Sequence, residues 1–280
     1  MRQTLIGRLL AAGLLSGALA LAWLQSRSPL ARALAEGRPV LGWLRLDGKA
    51  PALFLCVYQP AARTLDLVHV PGQSASVEEA ARRLAALAPD AGIGADLPRW
   101  SGTGAQSPDE PPLAAADWVA RHLRDPRSWL SAPARAEPPP PPFDLLLLAL
   151  EFQRLGPESL RPAWLPPDVQ AEGLLNRLIL GAETTPAPER ITVEVLNSTA
   201  QSGVASRAKN ILRLGGADVM SVGNAVGTGR TVVYDRTGRF ESAAAARRML
   251  GCPSARAVTQ VDLKRLVDVS VVLAEDCPLP

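Results

Sequence analysis

One short stretch, residues 191–203, constrains the fold more than any other part of the chain. It reads Ile-Thr-Val-Glu-Val-Leu-Asn-Ser-Thr-Ala-Gln-Ser-Gly, with apolar and polar residues alternating at its start. An alternation with a period of two is typical of a strand that buries one face. The polar residues that follow favour a turn, and Ser202 is suited to cap a helix N-terminus. The stretch therefore predicts a strand, a turn and the start of a helix.

The rest of the C-terminal third repeats this plan. A helix with an apolar face follows Gly203 and ends at Gly215 and Gly216, and an alanine-rich helix is predicted over residues 240–250. Further strands are predicted over residues 218–222, 230–234 and 267–273, with a short additional strand around Val258. Right-handed crossovers in the order β-α-β-β-α-β place both helices on one face of one sheet. We therefore expect an α/β fold for residues 189–280.

Four motifs in this region carry a family resemblance. They are Val-Glu-Val-Leu-Asn-Ser-Thr from Val193, Ser-Gly-Val-Ala-Ser-Arg from Ser202, Val-Val-Tyr-Asp from Val232, and Asp-Val-Ser-Val-Val-Leu from Asp268. Together they make residues 190–276 similar to the LytR C-terminal domain, an accessory module of bacterial LytR-CpsA-Psr envelope proteins. The resemblance implies an extracytoplasmic α/β module with no established chemistry of its own.

The chain opens with an apolar run over residues 9–24, preceded by Arg2 and Arg8. This pattern predicts a signal peptide or an uncleaved signal anchor, and Trp23 near the end of the run favours an anchor at a membrane interface. We expect residues 1–38 to form a transmembrane signal anchor and a stalk. The bulk of the chain would then lie outside the cytoplasm, attached to the cell membrane by a single pass.

The next part of the chain carries a strand pattern of its own. Strands are predicted over residues 40–46, 52–58 and 64–70. Ser76 and Glu79 have the spacing of a capping box at the start of a helix over residues 76–87. The motifs Val-Leu-Gly-Trp from Val40 and Leu-Asp-Leu-Val-His-Val-Pro from Leu65 are similar to the first strand and the proline turn of the LytR-CpsA-Psr catalytic domain.

The family's catalytic residues are missing from this half. The family has Arg-Asp just after the proline turn, where this chain has Gly72 and Gln73. It has Arg-x-Asp-Thr before the second strand, where this chain has Gly-Lys-Ala-Pro over residues 48–51. Phosphoryl transfer depends on cations that neutralise the phosphates, and magnesium needs carboxylate ligands. We therefore expect residues 39–135 to be a degenerate α/β region without catalytic residues, metal or cofactor. An active glycopolymer phosphotransferase with a divergent site is the alternative.

The middle of the chain is predicted to connect the two parts. Residues 90–112 are rich in glycine, proline and serine and are predicted to be loop. Residues 136–188 are predicted to be a proline-rich linker and helical connector, with a last linker over residues 183–189. Helices are predicted over residues 113–123, 143–155 and 168–180.

Two places are candidates for ligand binding. Asn197, Ser198 and Thr199 precede a helix N-terminus, which attracts an anion or a sugar, although turn and cap chemistry explains the same residues. Arg45 lies on a strand face beside Asp47 and is a candidate remnant of a phosphate pocket.

The three cysteines lack the spacing of a metal site, and His69 and His122 are the only histidines available to one. Cys56 lies in an apolar strand and is expected to be buried. Cys252 ends a helix and Cys277 follows the last strand of the same module. In an oxidising compartment these two could form a disulfide.

The charge balance argues against a nucleic-acid partner. The chain has 30 Lys and Arg residues against 27 Asp and Glu residues, and only 4% of its residues are aromatic. A nucleic-acid surface normally combines a dense basic patch with stacking aromatics. A transcriptional regulator, which the family's historical name suggests, is contradicted by an exported location.

These patterns together predict a membrane-anchored, extracytoplasmic protein of the cell envelope. We expect a non-catalytic role in binding or scaffolding at the cell wall. The expected partners are the membrane, through the N-terminal helix, and a cell-wall polymer or other envelope proteins.

Overall fold

The computed structural model describes residues 2–48, 51–72, 76–103, 110–123, 141–167, 169–180, 190–226 and 229–279. Within these residues ten strands form one mixed sheet, and eight helices accompany it. The strands are β1 Val40–Asp47, β2 Ala52–Gln59, β3 Thr64–Val70, β4 Arg99–Thr103, β5 Leu160–Trp164, β6 Thr192–Asn197, β7 Asp218–Asn224, β8 Val232–Asp235, β9 Arg256–Thr259 and β10 Val269–Leu273. The helices are α1 Arg2–Arg27, α2 Pro29–Ala35, α3 Val77–Leu87, α4 Pro111–Leu123, α5 Pro142–Phe152, α6 Val169–Leu180, α7 Val204–Leu214 and α8 Phe240–Leu250.

The sheet runs through the molecule in the order β4-β1-β2-β3-β5-β9-β8-β10-β6-β7. Strands β1, β2 and β3 pair antiparallel, and β4 and β5 extend this unit through parallel pairs with β1 and β3. In the C-terminal module β6 is parallel to β7 and β10, while β8 is parallel to β9 and antiparallel to β10. The two units meet at β5 and β9 through one registered pair, Ala163 with Thr259. One continuous sheet is therefore built from two units that are separate in the sequence.

Apolar runs make the N-terminal unit a layer that is covered on both sides. All but the last residue of β2 are buried. Helices α2, α4 and α5 contribute to the apolar cluster on one face, and α3 and α6 to the cluster on the other. The bounds of β1, β2 and β3 agree with the predicted strands to within one residue. The Ser76 hydroxyl accepts a hydrogen bond from the Glu79 amide at 3.2 Å, which confirms the predicted helix start.

Strand β4 lies where the sequence predicts a loop, so that prediction is wrong at residues 99–103. It pairs in parallel with β1. Gly42 and Gly102 permit this packing, since a side chain at either position would collide with the ring of Trp100 or Trp118 respectively. Small residues beneath two tryptophan rings thus allow a glycine-rich segment to join the sheet.

Strand β5 lies inside the segment that the sequence predicts to be linker and helical connector. That segment therefore supplies a central strand of the sheet as well as helices α5 and α6. The predicted linker over residues 183–189 and most of the proline run lie outside the described residues.

The C-terminal module has the predicted arrangement of helices. Helices α7 and α8 share one apolar core with strands β6 to β10, which confirms the expectation of two helices on one face of the sheet. The start of α7 differs from the prediction. Gly203 is the N-cap residue with a φ of 80°, and no side chain caps the helix, so the prediction of Ser202 as N-cap is wrong.

The other face of this module is only partly covered. Leu113 of α4 packs there against Val232 and Val258. Asp117 of the same helix pairs with Arg230 at 3.4 Å and with Arg256 at 3.3 Å. None of the apolar clusters in the described residues places a helix over β10, β6 and β7 on this side. We call the side of β8, β10, β6 and β7 opposite α7 and α8 the open face, although Leu113 covers Val232 there and every residue of β10 is buried.

Helix α1 precedes the sheet as one continuous helix of 26 residues. Its described apolar side chains are exposed, among them Leu14, Leu15, Leu19 and Trp23. Among the residues described well enough to be searched, no helix has the length and apolarity needed to cross a membrane. The transmembrane part of the fold prediction is therefore not confirmed.

Candidate functional site

The predicted ligand residues of the C-terminal module lie in the turn between β6 and α7, where they bond to the protein itself. The Asn197 side-chain oxygen accepts hydrogen bonds from the Thr199 amide at 3.0 Å and the Thr199 hydroxyl at 2.8 Å. The Asn197 side-chain nitrogen donates to the Gln201 carbonyl at 2.9 Å. The Ser198 hydroxyl donates to the Leu273 carbonyl at 2.6 Å. These contacts close the turn and tie it to β10, and ligand binding by these residues stays a prediction.

Arg45 lies far from that turn, on β1 of the N-terminal unit. Its Nε atom pairs with Oδ1 of Asp47 at 2.9 Å, and both side chains are about half exposed. Strands β1 and β6 are seven neighbours apart in the sheet order, which corresponds to roughly 34 Å at the usual spacing of strands. The structure therefore does not bring Arg45 together with Asn197, and Asp47 already balances the charge of Arg45.

A cleft of about 530 Å³ opens where β3 and β5 end, beside the predicted proline turn. Its described lining consists of Pro71, Arg83, Ala86, Leu87, Leu165, Pro166 and Pro167. Arg83 is the one charged residue of this lining, and its Nη1 atom donates to the Pro71 carbonyl at 3.3 Å. Magnesium bound to a pyrophosphate needs carboxylate ligands, and these lining residues supply none.

Cys252 and Cys277 lie against each other between the end of α8 and the segment after β10. The structure joins them as a disulfide, with their Cα atoms 5.6 Å apart. Both residues belong to the apolar core beneath α7 and α8. Cys56 is a buried free cysteine in β2, and burial raises the pKa of its thiol to about 12. A thiol that stays protonated is a poor nucleophile, so Cys56 behaves as a small apolar residue.

A group of polar side chains that the sequence analysis did not single out lies on the open face. We call it the open-face cluster, and its members are Glu194, Tyr234, Arg236, Gln260, Arg265 and Ser270. Strands β6, β10 and β8 are neighbours, and Glu194, Ser270 and Tyr234 are paired in register across them. The pairing of strands thus assembles a site from residues that are up to 76 positions apart.

Hydrogen bonds link the members of the open-face cluster in a row. The Nε atom of Arg236 donates to the Ser270 hydroxyl at 2.7 Å, and that hydroxyl donates to the Glu194 carboxylate. The Nη1 atom of Arg265 pairs with the same carboxylate at 2.6 Å. The Nη1 atom of Arg236 donates to the Gln260 side-chain oxygen at 2.8 Å. Hydrogen bonds therefore hold five of the six members in fixed positions relative to one another.

The turn after β8 positions Arg236. The buried carboxylate of Asp235 accepts hydrogen bonds from the Thr237 amide at 3.0 Å and from the Thr259 hydroxyl at 3.0 Å. Burial raises the pKa of Asp235, and these hydrogen bonds lower it in part. Side chains alternate between the faces of a strand, so anchoring Asp235 on the helix side leaves Arg236 on the open face.

The open-face cluster holds two arginines and one carboxylate, and the neighbouring Asp262 supplies the second negative charge. Arg236 is only 6% exposed, and this burial lowers the pKa of its guanidinium group. The hydrogen bond to Glu194 raises the pKa of Arg265, which also pairs with Asp262 at 3.2 Å. Two guanidinium groups thus face two carboxylates, beside a Tyr234 ring whose centre lies 4.6 Å from Arg236. Such a surface suits a neutral ligand rich in hydroxyl groups better than a polyanion.

The sequence predicts the face on which some members of this cluster lie. Glu194 occupies a polar position in a clearly alternating strand, and Ser270 does the same in the last strand. Alternation places each of them on the polar side of its own strand. It does not tell which strands become neighbours, so the cluster could not be assembled from the pattern alone.

The C-terminal module is an α/β domain with two helices on one face of its sheet. Residues 190–276 match the family LytR_C, described as LytR cell envelope-related transcriptional attenuator. This match confirms the predicted resemblance of the C-terminal region. It does not include residues 39–135, whose similarity to LytR-CpsA-Psr proteins stays a prediction.

A solved structure that is similar to this chain is the solution structure of the C-terminal domain of RV0431. The two are 29% identical, over 33% of this chain and 79% of the other, with a TM-score of 0.22. No curated protein matches the chain.

Proposed function

We propose that this protein is a non-catalytic component of the cell envelope that binds a cell-wall glycan through the open-face cluster. The observation that carries the proposal is a prearranged polar cluster inside the region that matches a cell envelope-related family. A glycan is rich in hydroxyl groups, which pair with donors and acceptors held in fixed positions.

The proposal places the module outside the cytoplasm, attached to the cell membrane by α1. The exposed apolar side chains of α1, such as Leu14 and Leu19, support membrane attachment, since an exposed apolar helix surface favours contact with lipid. Arg27 lies 4.4 Å from the ring of Trp23, a pair suited to a membrane interface. The disulfide between Cys252 and Cys277 supports an oxidising compartment.

A reporter fusion tests this location. Alkaline phosphatase fused after the C-terminus is expected to be active, because it folds only when exported to an oxidising compartment. The matched fusion lacks residues 1–38 and is expected to be inactive. Activity of a cytoplasmic reporter in the full-length fusion, with an inactive phosphatase, would contradict the location.

Glycan binding is tested by co-sedimentation of the full chain with purified insoluble peptidoglycan. Replacing Arg265 by Gln removes a charged hydrogen bond at the exposed rim of the cluster, and we expect binding about tenfold weaker. Arg248→Gln is the control, because it makes the same change of charge at an exposed position of α8, on the helix side. Equal binding by the two variants, or no binding by the unmodified chain, would contradict the proposal.

The proposal also excludes glycopolymer transfer by the N-terminal unit. Its basis is the described lining of the cleft beside Pro71, in which Arg83 is the one charged residue. We expect no turnover when the chain is incubated with a polyprenyl-pyrophosphate glycan donor and magnesium. Measurable transfer that is lost in Asp47→Ala would establish a divergent active site instead.

A further inference from the structure

Helix α5 carries apolar side chains on its outer surface. Leu146 and Leu150 are 49% and 47% exposed, and residues four apart lie on the same face of a helix. We call these two residues the leucine stripe. The opposite face of α5 is buried, with Leu148 and Phe152 in the apolar cluster that also contains Leu30 of α2. Helix α5 is therefore apolar both where it packs against the protein and where it faces away from it.

The two carboxylates of α5 are turned towards the protein. The Asp144 carboxylate is buried and accepts a hydrogen bond from the Ser28 hydroxyl. The Glu151 carboxylate accepts a hydrogen bond from the Tyr58 hydroxyl at 2.8 Å, and its other oxygen pairs with Arg154 at 2.9 Å. A helix at a water-exposed surface normally places its charged residues on the outer face. In α5 the charged residues of the helix are engaged elsewhere, and the described outer face presents leucine.

The hydrogen bond between Ser28 and Asp144 fixes α5 at the point where α1 ends. The Ser28 amide donates to the Leu24 carbonyl at 3.0 Å, so Ser28 completes the last turn of α1. Its hydroxyl bonds to the first turn of α5. The leucine stripe is on the same helix and lies within about one helix diameter, roughly 10–12 Å, of this junction. The exposed apolar surface of α1 and the leucine stripe are therefore close together.

Basic and aromatic side chains surround the end of α1. Arg27 and Arg32 are exposed, and none of the ion pairs in the described residues engages either of them. Trp23, which is 55% exposed, lies one turn before Arg27. Tryptophan is enriched at the interface between membrane and water, and arginine near a membrane is attracted by anionic lipid head groups. This composition favours a lipid surface over a protein as the partner of the leucine stripe.

We propose that α5 lies on the membrane surface, with the leucine stripe inserted among the lipids beside the end of α1. The proposal rests on the proposed membrane attachment through α1 and adds a second contact to it. An apolar helix face at an interface reaches roughly 5–10 Å into the boundary between head groups and acyl chains, a depth that accommodates leucine side chains. One contact at α1 leaves the sheet free to swing about the end of that helix. Contacts at α1 and α5 together hold it in one orientation.

Fluorescence quenching in vesicles tests this contact with the full chain. The chain is reconstituted into vesicles of phosphatidylcholine and phosphatidylglycerol, with a thiol-reactive fluorophore on Leu150→Cys. Cys56 is buried and protonated and stays unlabelled. Lipids that carry a nitroxide near the head group should remove most of the fluorescence of this probe. Leu266→Cys with the same fluorophore is the control, because Leu266 is 87% exposed in the C-terminal module, and its fluorescence should be retained.

A second substitution tests whether the leucine stripe itself makes the contact. Leu146→Glu, added to the chain labelled at position 150, places a carboxylate where lipid is expected and should restore most of the fluorescence, because a charge is costly among acyl chains. Leu180→Glu is the matched control. It makes the same change at a residue that is 52% exposed in α6, on the other face of the sheet, and should leave the quenching unchanged.

The outcomes separate this proposal from the attachment on which it rests. A chain that does not float with the vesicles would overturn both the attachment through α1 and the contact of α5. A chain that floats, but whose probe at position 150 is quenched no more than the probe at position 266, would overturn the contact of α5 alone. A disulfide-linked dimer of unlabelled Leu150→Cys in the vesicles would assign the leucine stripe to a second copy and overturn lipid as its partner.

Discussion

The N-terminal unit and the C-terminal module share one sheet but use its faces differently. In the N-terminal unit helices cover both faces, and β2 is buried on both sides. In the C-terminal module α7 and α8 cover one face, and the described residues leave most of the other face to a hydrogen-bonded polar cluster.

Under the proposed function, this difference separates a supporting role from a binding role. A strand layer covered on both sides contributes apolar burial and presents little backbone or polar surface to a ligand. The C-terminal layer holds its polar side chains in a rigid frame, with Arg236 and Ser270 buried and the Arg265 side chain 40% exposed at the rim. The four predictions below test that division, from the largest expected effect to the smallest.

The largest effect should come from the covered unit. Phe54 lies in β2 and is 0% exposed, so Phe54→Ala leaves a cavity that costs about 3–5 kcal/mol of unfolding free energy. Urea denaturation of the full chain measures the loss. Leu266→Ala, at an exposed position of the C-terminal module, should change the free energy by less than about 0.5 kcal/mol. Similar losses in the two variants would show that the division between the units is wrong.

The disulfide should give the next largest effect, confined to the C-terminal module. Cys252 and Cys277 close a loop with a sequence separation of 25, and Cys277→Ser should lower the unfolding free energy by about 2–4 kcal/mol. A reducing agent should lower the stability of the unmodified chain by a similar amount and leave Cys277→Ser unchanged. An unmodified chain that is insensitive to reductant, with both thiols free by mass spectrometry, would contradict the pairing.

A smaller effect is expected on the open face. Ser270→Ala leaves the Nε–H group of the buried Arg236 without its acceptor, which costs about 1–3 kcal/mol. Ser221→Ala makes the same change at an exposed position of β7 in the same module and should be close to neutral. Thermal unfolding of both variants measures the difference. Equal stability of the two would mean that the cluster is not a connected network.

The smallest net effect concerns pH, because two buried groups in β3 act in opposite directions. Burial raises the pKa of Asp66 from 3.8 to about 7, so its contribution to stability is lost as the pH rises through that window. Burial lowers the pKa of His69 from 6.5 to about 4, so its contribution is lost as the pH falls through that window. Between pH 4 and 6.5 the two contributions oppose each other.

Single variants should expose each contribution. We expect Asp66→Asn to lose stability more steeply than the unmodified chain as the pH falls from 6.5 to 4. His69→Gln should instead lose stability as the pH rises towards 7. The unfolding free energy of the unmodified chain and of both variants is measured across this pH range. Parallel curves for the three proteins would show that neither Asp66 nor His69 causes the pH dependence.

Local patterns predicted the elements that bury one clear face. β1, β2 and β3 are rich in apolar residues and are separated by turn residues, and the helix from Ser76 carries its own capping signal, so their bounds agree with the sequence. β5 has no such pattern, because its Arg161 and Pro162 disfavour a central strand. It joins the sheet through registered pairs with β3, a tertiary contact that overrides local preference.

The candidate site was less accessible to prediction than the fold. Asn197 and Arg45 were visible because each stands out in its own segment, yet they lie at distant positions in the sheet. The open-face cluster depends on Ser270 lying between Glu194 and Arg236, which only the pairing of β6, β10 and β8 decides. Periodicity assigns a side chain to a face and leaves its neighbours across the sheet undetermined.

The seam between β5 and β9 has a mechanical consequence. It has one registered backbone pair, against five between β3 and β5, and side-chain contacts such as the ion pair of Arg161 with Glu241 at 2.8 Å reinforce it. If the chain were tethered at α1 on one side and at the open face on the other, tension would pass through this seam. The strands on either side have longer ladders to resist a pull, so the seam would yield first and both units would stay folded. The molecule would then lengthen under load and close again when the load is removed.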